Sequence, residues 1–263
     1  MVGVLRPFSL YGDFLRLLSR ERMLIKEMTR RALMDQYAGE VLGKVWAVAH
    51  PLVYAAIYIF IFAFVFKARF SGVVDTNLDY PAYILAGLVP WLGLIRSMNM
   101  TSSSLIGNAN LVKQVVLPIE VLPIKDVLAS FFTLVVSLVA LILYVVATTG
   151  GLPTSYVLLP VLFIIQFVAM CGLGFLLAAI TPFLKDIREL LVIFSQIGIF
   201  ILPIVYQPQW IPAGLKPLLY ANPFSYMIWC WQDVLFYGEI AHPEAWVIFP
   251  VFSLGLLLIG YYV

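Results

Sequence analysis

The sequence predicts an all-α integral membrane protein with six transmembrane helices. Three observations carry that prediction. Hydrophobic residues make up 63% of the 263-residue chain and charged residues only 11%; a soluble domain has about 45–50% apolar and about 25% charged residues. So few charges cannot cover a globule with a wetted surface. Six apolar stretches approach or exceed the roughly 20 residues a helix needs to span a bilayer. Lys and Arg alternate between rich and poor connecting segments, which is the positive-inside pattern.

The first 44 residues form a polar, charged cytoplasmic segment, and residues 45–263 hold the spans. Leu10, Phe14, Leu17, Leu18, Leu24, Ile25 and Met28 recur at three- and four-residue steps. Arg16, Arg20, Arg22, Lys26, Arg30 and Arg31 fall mostly between them. That spacing predicts an amphipathic helix with a basic face, lying at the inner leaflet. It suits a membrane anchor, a docking surface for a cytoplasmic partner, or both. The segment has no signal-peptide pattern, so the chain is expected to insert through its first span.

Span one, 45–66, runs 22 residues without a charge. Span two, 82–106, is long enough but contains Arg96 and turns polar at Ser102, Ser103 and Ser104. Spans three and four, 127–147 and 157–181, are uninterrupted. Span five, 190–206, is short, and Pro203 breaks it near its end. Span six, 246–263, reaches the final residue with no basic stop sequence behind it, which leaves room for an inner tail beyond Val263.

An even number of spans puts both termini on one side. With the N-terminus inside, segments 1–44, 107–126 and 182–189 carry 12 Lys and Arg, and the outer segments carry three, Lys67, Arg69 and Lys216. This orientation, N-in and C-in, satisfies the charge rule. No repeat or linker divides the chain, so 1–263 reads as a single transmembrane domain. Between spans five and six the outer segment is punctuated by Pro203, Pro208, Pro212, Gly214, Pro217 and Pro223. Two short helical runs fit between these breaks, near 213–220 and 225–237. A short span followed by such a hairpin predicts helices that re-enter the membrane, because irregular backbone at that depth must be buried in protein or line a cavity.

Several function classes are excluded. The stretch QYAGEVLGKVWAVAHP (36–51) contains Gly39 and Gly43-Lys44. It is not a phosphate loop: a Walker loop is G-x-x-x-x-G-K-[ST] after a strand, whereas here the glycines are one residue too close and Val45 replaces the hydroxyl residue. His50 and His242 are expected on opposite membrane faces and cannot share a metal or a proton relay. No carboxylate falls mid-span, which argues against a proton-driven carrier. No basic run accompanies a nucleic-acid motif. Cys171 and Cys230 read as apolar fillers rather than a disulfide framework.

Two features remain. A charged group at mid-span costs roughly 2.5–3.5 kcal/mol on insertion scales, so Arg96 needs an anionic partner, a wet cavity or a snorkelling route to a surface. The aromatic residues are also uneven. Tyr54, Tyr58, Phe62 and Phe66 follow four-residue steps along span one. Nine of the 32 residues from 206 to 237 are aromatic, among them Tyr206, Trp210, Trp229 and Trp231, where the chain average gives about five. An interfacial belt accounts for this distribution. So does an aromatic-lined route, since amphipathic rings suit sugars whose C–H faces are apolar and whose hydroxyls stay wet.

Four passages together resemble the membrane subunit of ABC transporters that export polysaccharides such as O-antigen, capsule and teichoic acid. They are QYAGEVLGKVWAVAHP with Tyr37, Leu42-Gly43, Trp46 and Pro51; Gly87 to Trp91 leading to SLIGNANLVKQVVLPIEVLPI with Asn108, Pro118 and Pro123; TPFLKDIREL with Asp186; and LPIVYQPQWIP followed by Asn222-Pro223. They cover most of the chain in family order. One departure is Gln232-Asp233, where many relatives carry Arg.

The resemblance implies an inner-membrane permease that works as a homodimer with two separate ATP-binding cassette subunits. ATP and Mg would be bound by those subunits, and this chain would hold no cofactor or metal and would not be an enzyme. A lipid-linked polysaccharide would pass along Tyr54, Tyr58, Phe62, Phe66, Arg96, Tyr206, Trp210, Trp229 and Trp231. The force of ATP hydrolysis would enter through the N-terminal helix (Arg30, Tyr37), the loop 106–117 (Asn108, Lys113, Gln114) and the loop 182–189 (Lys185, Asp186, Arg188). A lipid or drug exporter of the same fold, or a membrane enzyme of envelope assembly, stands as the alternative.

Overall fold

The computed structural model describes residues 7–36, 39–65 and 78–263. Its regular elements are helical, and no strand occurs among the described residues. They run α1 (Pro7–Arg20), α2 (Arg22–Asp35), α3 (Trp46–Ile59), α4 (Tyr80–Ser102), α5 (Ser104–Gly107), α6 (Ala109–Gln114), α7 (Val121–Thr149), α8 (Leu159–Ile180), α9 (Ile187–Ile201), α10 (Lys216–Ala221), α11 (Pro223–Gln232) and α12 (Ala245–Tyr262). A π-helical segment, Phe60–Val65, prolongs α3, and another, Asp233–Tyr237, prolongs α11. A 3₁₀ segment, Thr154–Leu158, leads into α8.

Four stretches are long and apolar enough to cross a membrane: Tyr80–Ser102, Val121–Thr149, Thr154–Ile180 and Ala245–Tyr262. This is a multi-pass membrane protein. The apolar Trp46–Phe62 is shorter. Helix α9 has 15 residues, about 22 Å of rise against a hydrocarbon core of about 30 Å.

The elements differ from the sequence expectation chiefly at their ends. The N-terminal amphipathic run is two helices that meet at Glu21. Its apolar stripe is turned inward: Phe14 and Ile25 are buried. The Phe14 ring meets Phe175 and Tyr261 edge-on at 6.0 Å each, and Tyr11 donates to the Leu254 carbonyl at 3.2 Å. The expected second span breaks at Ser103, so α4 starts earlier and α5 is a separate short turn. Helix α7 begins ahead of the expected third span and takes in Lys125 and Asp126, whose side chains pair at 2.6 Å in a buried position. Helix α9 ends two residues before Pro203, as the clash between a proline and the helical residue before it requires.

Helix α4 is the axis of the bundle. Nearly all of it is buried against α7, α8, α9 and α11. Close approaches are made through glycine. At Gly172 of α8 a methyl group would lie 2.4 Å from the backbone nitrogen of Leu257, and at Gly260 of α12 it would lie 2.1 Å from the Gly172 carbonyl oxygen. Small residues let α8 and α12 touch backbone to backbone, which is how membrane helices gain packing without a hydrophobic drive between them.

Candidate functional site

Two regions gather most of the residues the sequence singles out, one at each end of the bundle. The first is an array of aromatic rings joining α3 and α4 to the segment that follows α9. Tyr58 and Phe62 of α3 are stacked at 6.3 Å. Phe62 meets Tyr80 edge-on at 5.9 Å, and Tyr80 lies 5.9 Å from Trp210. Tyr80 also stacks on Tyr83 at 6.1 Å, and Tyr83 meets Phe236 at 5.3 Å and Tyr237 at 6.4 Å. The run continues through His242, 5.7 Å from Tyr237, to Trp229, which stacks on that imidazole at 5.3 Å. Tyr220 and Tyr226 flank Trp229 at 5.0 and 5.2 Å.

The sequence reading named Tyr58, Phe62, Trp210 and Trp229 but missed Tyr80 and Tyr83, which connect them. The local signal was Tyr80-Pro81-Ala82-Tyr83, two tyrosines three apart at a helix start. Tyr54 is exposed on α3 and Trp210 is half exposed, whereas Trp229 and Trp231 are fully buried within the chain. Trp231 lies apart from the array: its indole donates to Gln166 at 3.3 Å and its ring meets Phe163 at 5.7 Å. Phe66 lies outside the described residues.

Polar groups hold the irregular backbone after α9. The Tyr80 hydroxyl donates to the Val205 carbonyl. Tyr83 donates to the carbonyls of Tyr206 at 3.0 Å and Pro203 at 3.3 Å, and Gln232 donates to that of Pro203 at 2.8 Å. The Tyr206 hydroxyl returns to the Ile201 carbonyl at 2.8 Å. A helix end leaves its last carbonyls without intrahelical partners, and here side chains of α4 and α11 supply donors at the adjoining turn. Beside it, Asp233 has no solvent exposure and accepts three bonds: from His242 Nδ1 at 2.7 Å, from the His242 backbone N–H at 3.1 Å and from Trp246 Nε1 at 3.0 Å. It ties the end of α11 to the start of α12 across the turn at Gly238, whose φ of 75° is left-handed.

The second region is basic. Helices α2 and α6 enclose a groove of about 810 Å³ whose lining includes Arg20, Arg31, Asp35, Asn108, Leu111 and Lys125. Asn108 is held by a bond to the Ser104 carbonyl at 2.7 Å. Lys113 and Gln114 stand exposed on α6, next to Val115 and the fully exposed Val116. In the turn before α9, Lys185 and Asp186 are exposed and Phe183 is 87% exposed, and Arg188 in the first turn of α9 is half-buried. Arg30 is exposed on α2, beside Glu27 at 3.7 Å. Tyr37 lies outside the described residues.

Arg96 occupies the last third of α4 and is half-buried. It donates through Nη2 to the Gln36 side chain at the end of α2, while its Nε is buried with no hydrogen-bond partner among the described residues. Because α4 starts at Tyr80 and stops at Ser102 rather than continuing to 106, Arg96 is displaced from the middle of the helix toward its basic end, where it meets Gln36. Asn99, one turn on, donates to Ser195 at 3.2 Å and links α4 to α9.

The chain is 26% identical over 219 residues to the O-antigen export system permease protein RfbA of Klebsiella pneumoniae, covering 82% of each chain. It is 25% identical over 246 residues to the protein of the same name from Myxococcus xanthus, covering 92% of this chain and 91% of that one. Residues 23–236, from within the first turn of α2 into the π-helical segment behind α11, match the ABC-2 type transporter family, and the chain belongs to that family.

Proposed function

We propose that this chain is the membrane subunit of an ATP-driven exporter that carries a lipid-linked, O-antigen-like polysaccharide across the inner membrane. One observation carries the proposal: relatives that match over more than four-fifths of both chains are O-antigen export permeases. The chain's own chemistry agrees. Its glycine-lysine segment lacks the spacing and the hydroxyl residue of a phosphate loop, so ATP is hydrolysed on separate subunits, two of them serving two copies of this chain.

In this reading α3 with its π-helical extension, α4, α7, α8, α9 and α12 make six crossings, with both termini inside. The basic end, with α2, α6 and the turn before α9, faces the cytoplasm. Its exposed Lys113, Gln114, Val116 and Phe183 suit docking of the ATPase subunits. Helices α10 and α11 form the outer hairpin. The bonds from Tyr80, Tyr83 and Gln232 to carbonyls after α9 support a hairpin that re-enters the bilayer, because backbone at that depth has no water to satisfy it. The partly exposed rings of the array, Tyr58, Phe62 and Trp210, together with Tyr54 one turn before Tyr58 and Tyr206 after α9, offer apolar faces, most with a hydroxyl or indole edge, to a sugar chain. Arg96, half-buried and bonded to Gln36 through Nη2, offers the remaining N–H groups of its guanidinium to the lipid carrier's phosphate.

The test is made in the cell that encodes the chain. Deleting it is expected to abolish surface polymer, seen by antibody labelling of intact cells, and to accumulate lipid-linked polymer inside. Unchanged surface polymer with altered outer-leaflet lipids would favour a lipid exporter of the same fold instead.

A further inference from the structure

A second groove, of about 770 Å³, lies between α2 and the helices α3, α7 and α8. That volume falls in the range of ligand-sized pockets, about 300–1,000 Å³. Its floor is apolar: Ile25 and Leu33 from α2, Val48 from α3, and Phe131, Phe132 and Val135 from α7. Its rim is cationic. Arg22, Lys26 and Arg30 follow four-residue steps on α2, so they share one face of that helix, and all three line the groove and are exposed. No carboxylate is among the lining residues described.

The two halves of the groove call for one kind of molecule. An apolar floor provided by a membrane-length helix takes an acyl chain, and a row of cations at its mouth takes an anionic headgroup. The rim lies on α2, which is packed on α7 and buries Ile25, so the three cations are held over the groove rather than free to spread on the membrane. We propose that this groove is a binding site for an anionic phospholipid of the inner leaflet, with the phosphate under Arg22, Lys26 and Arg30 and one acyl chain between α2 and α7. The site is separate from the groove between α2 and α6 and does not depend on which substrate is exported.

The test uses the full chain in nanodiscs of phosphatidylglycerol and phosphatidylethanolamine in equal amounts, followed by native mass spectrometry. The wild type is expected to retain one phosphatidylglycerol per copy. Arg22→Gln with Lys26→Gln and Arg30→Gln is expected to retain at least about tenfold less, given the contribution of each cation near an anionic lipid surface. Val48→Trp, which keeps the cations and fills the floor, is expected to lose the lipid as well. Arg16→Gln with Arg20→Gln and Arg31→Gln, which removes equal charge outside the groove, is expected to retain it. The proposal is overturned if the wild type retains phosphatidylethanolamine or a pyrophosphate-linked lipid in its place. It is equally overturned if Val48→Trp binds normally, or if the outside triple loses the lipid as fully as the groove triple.

Discussion

Asp233 has no contact with water, so its charge must be met by donors inside the protein. Two come from His242 and one from Trp246, and both lie beyond the turn that α11 makes before α12. Replacing the carboxylate strands those donors in a buried site. Asp233→Ala is expected to cost about 2–4 kcal/mol of stability, and Asp233→Asn, which keeps one acceptor oxygen, about half as much. Thermal unfolding of the detergent-solubilised chain measures this; equal melting temperatures for wild type and Asp233→Ala would remove the tie from the account. Arg96 makes a different prediction. Lysine keeps its charge but not its planar fork, so export is expected to fall partly in Arg96→Lys and at least about tenfold in Arg96→Ala, the order expected for loss of a charge-assisted bond. Gln36→Ala is expected to leave export nearly intact. If Gln36→Ala is as damaging as Arg96→Ala, Arg96 acts only by fastening α4 to α2.

The packing of elements is decided by backbone proximity at a few positions. At Gly172 an added methyl would strike the backbone of α12, which cannot rotate away. Gly172→Ala therefore forces α8 and α12 apart and is expected to destabilise by about 1–3 kcal/mol, the usual cost of overpacking. Gly255, on the same α12, has nothing within 4 Å of its would-be methyl, and Gly255→Ala is expected to be neutral or slightly stabilising. The reverse order in a thermal-shift measurement would contradict this packing.

The helices themselves were legible in the sequence because long apolar runs have little choice of structure in lipid. Their ends were less so. The break at Ser103 and the early start of α7 turn on local partners: buried Lys125 and Asp126 are tolerated in a helix because they pair with each other. No hydropathy window registers that. The aromatic array was half visible for the same reason. Four-residue steps exposed Tyr58 and Phe62, but Tyr80 and Tyr83 join them only through folding, and Asp233 and His242 meet only across the turn at Gly238.

At the scale of the whole molecule, the two ends have divided chemistry. One is basic, grooved and rimmed with exposed apolar residues; the other is aromatic and knitted by hydroxyl–carbonyl bonds. Between them runs α4, which contributes Tyr80 and Tyr83 to the aromatic end and Arg96 to the basic one, so a displacement of α2 has a direct path to the aromatic array, and one of α6 reaches α4 through α5. Lys113 is exposed on α6 and its substitution carries little folding cost. Lys113→Glu is expected to leave the complex assembled and hydrolysing ATP while export falls, as judged by the ratio of polymer moved to ATP consumed. An unchanged ratio would shift the transmission of force to the N-terminal helices.

The central claim is that this chain forms the path and another subunit supplies the energy. The most direct measurement reconstitutes the purified chain, with and without its ATPase subunits, in liposomes carrying lipid-linked polysaccharide. ATP hydrolysis and the transfer of polymer across the bilayer are then followed together. The account predicts no hydrolysis and no transfer with the chain alone, and both when the ATPase subunits and ATP are added. Hydrolysis by the chain alone, or a complete complex that hydrolyses ATP while the polymer stays on its original side, would contradict it.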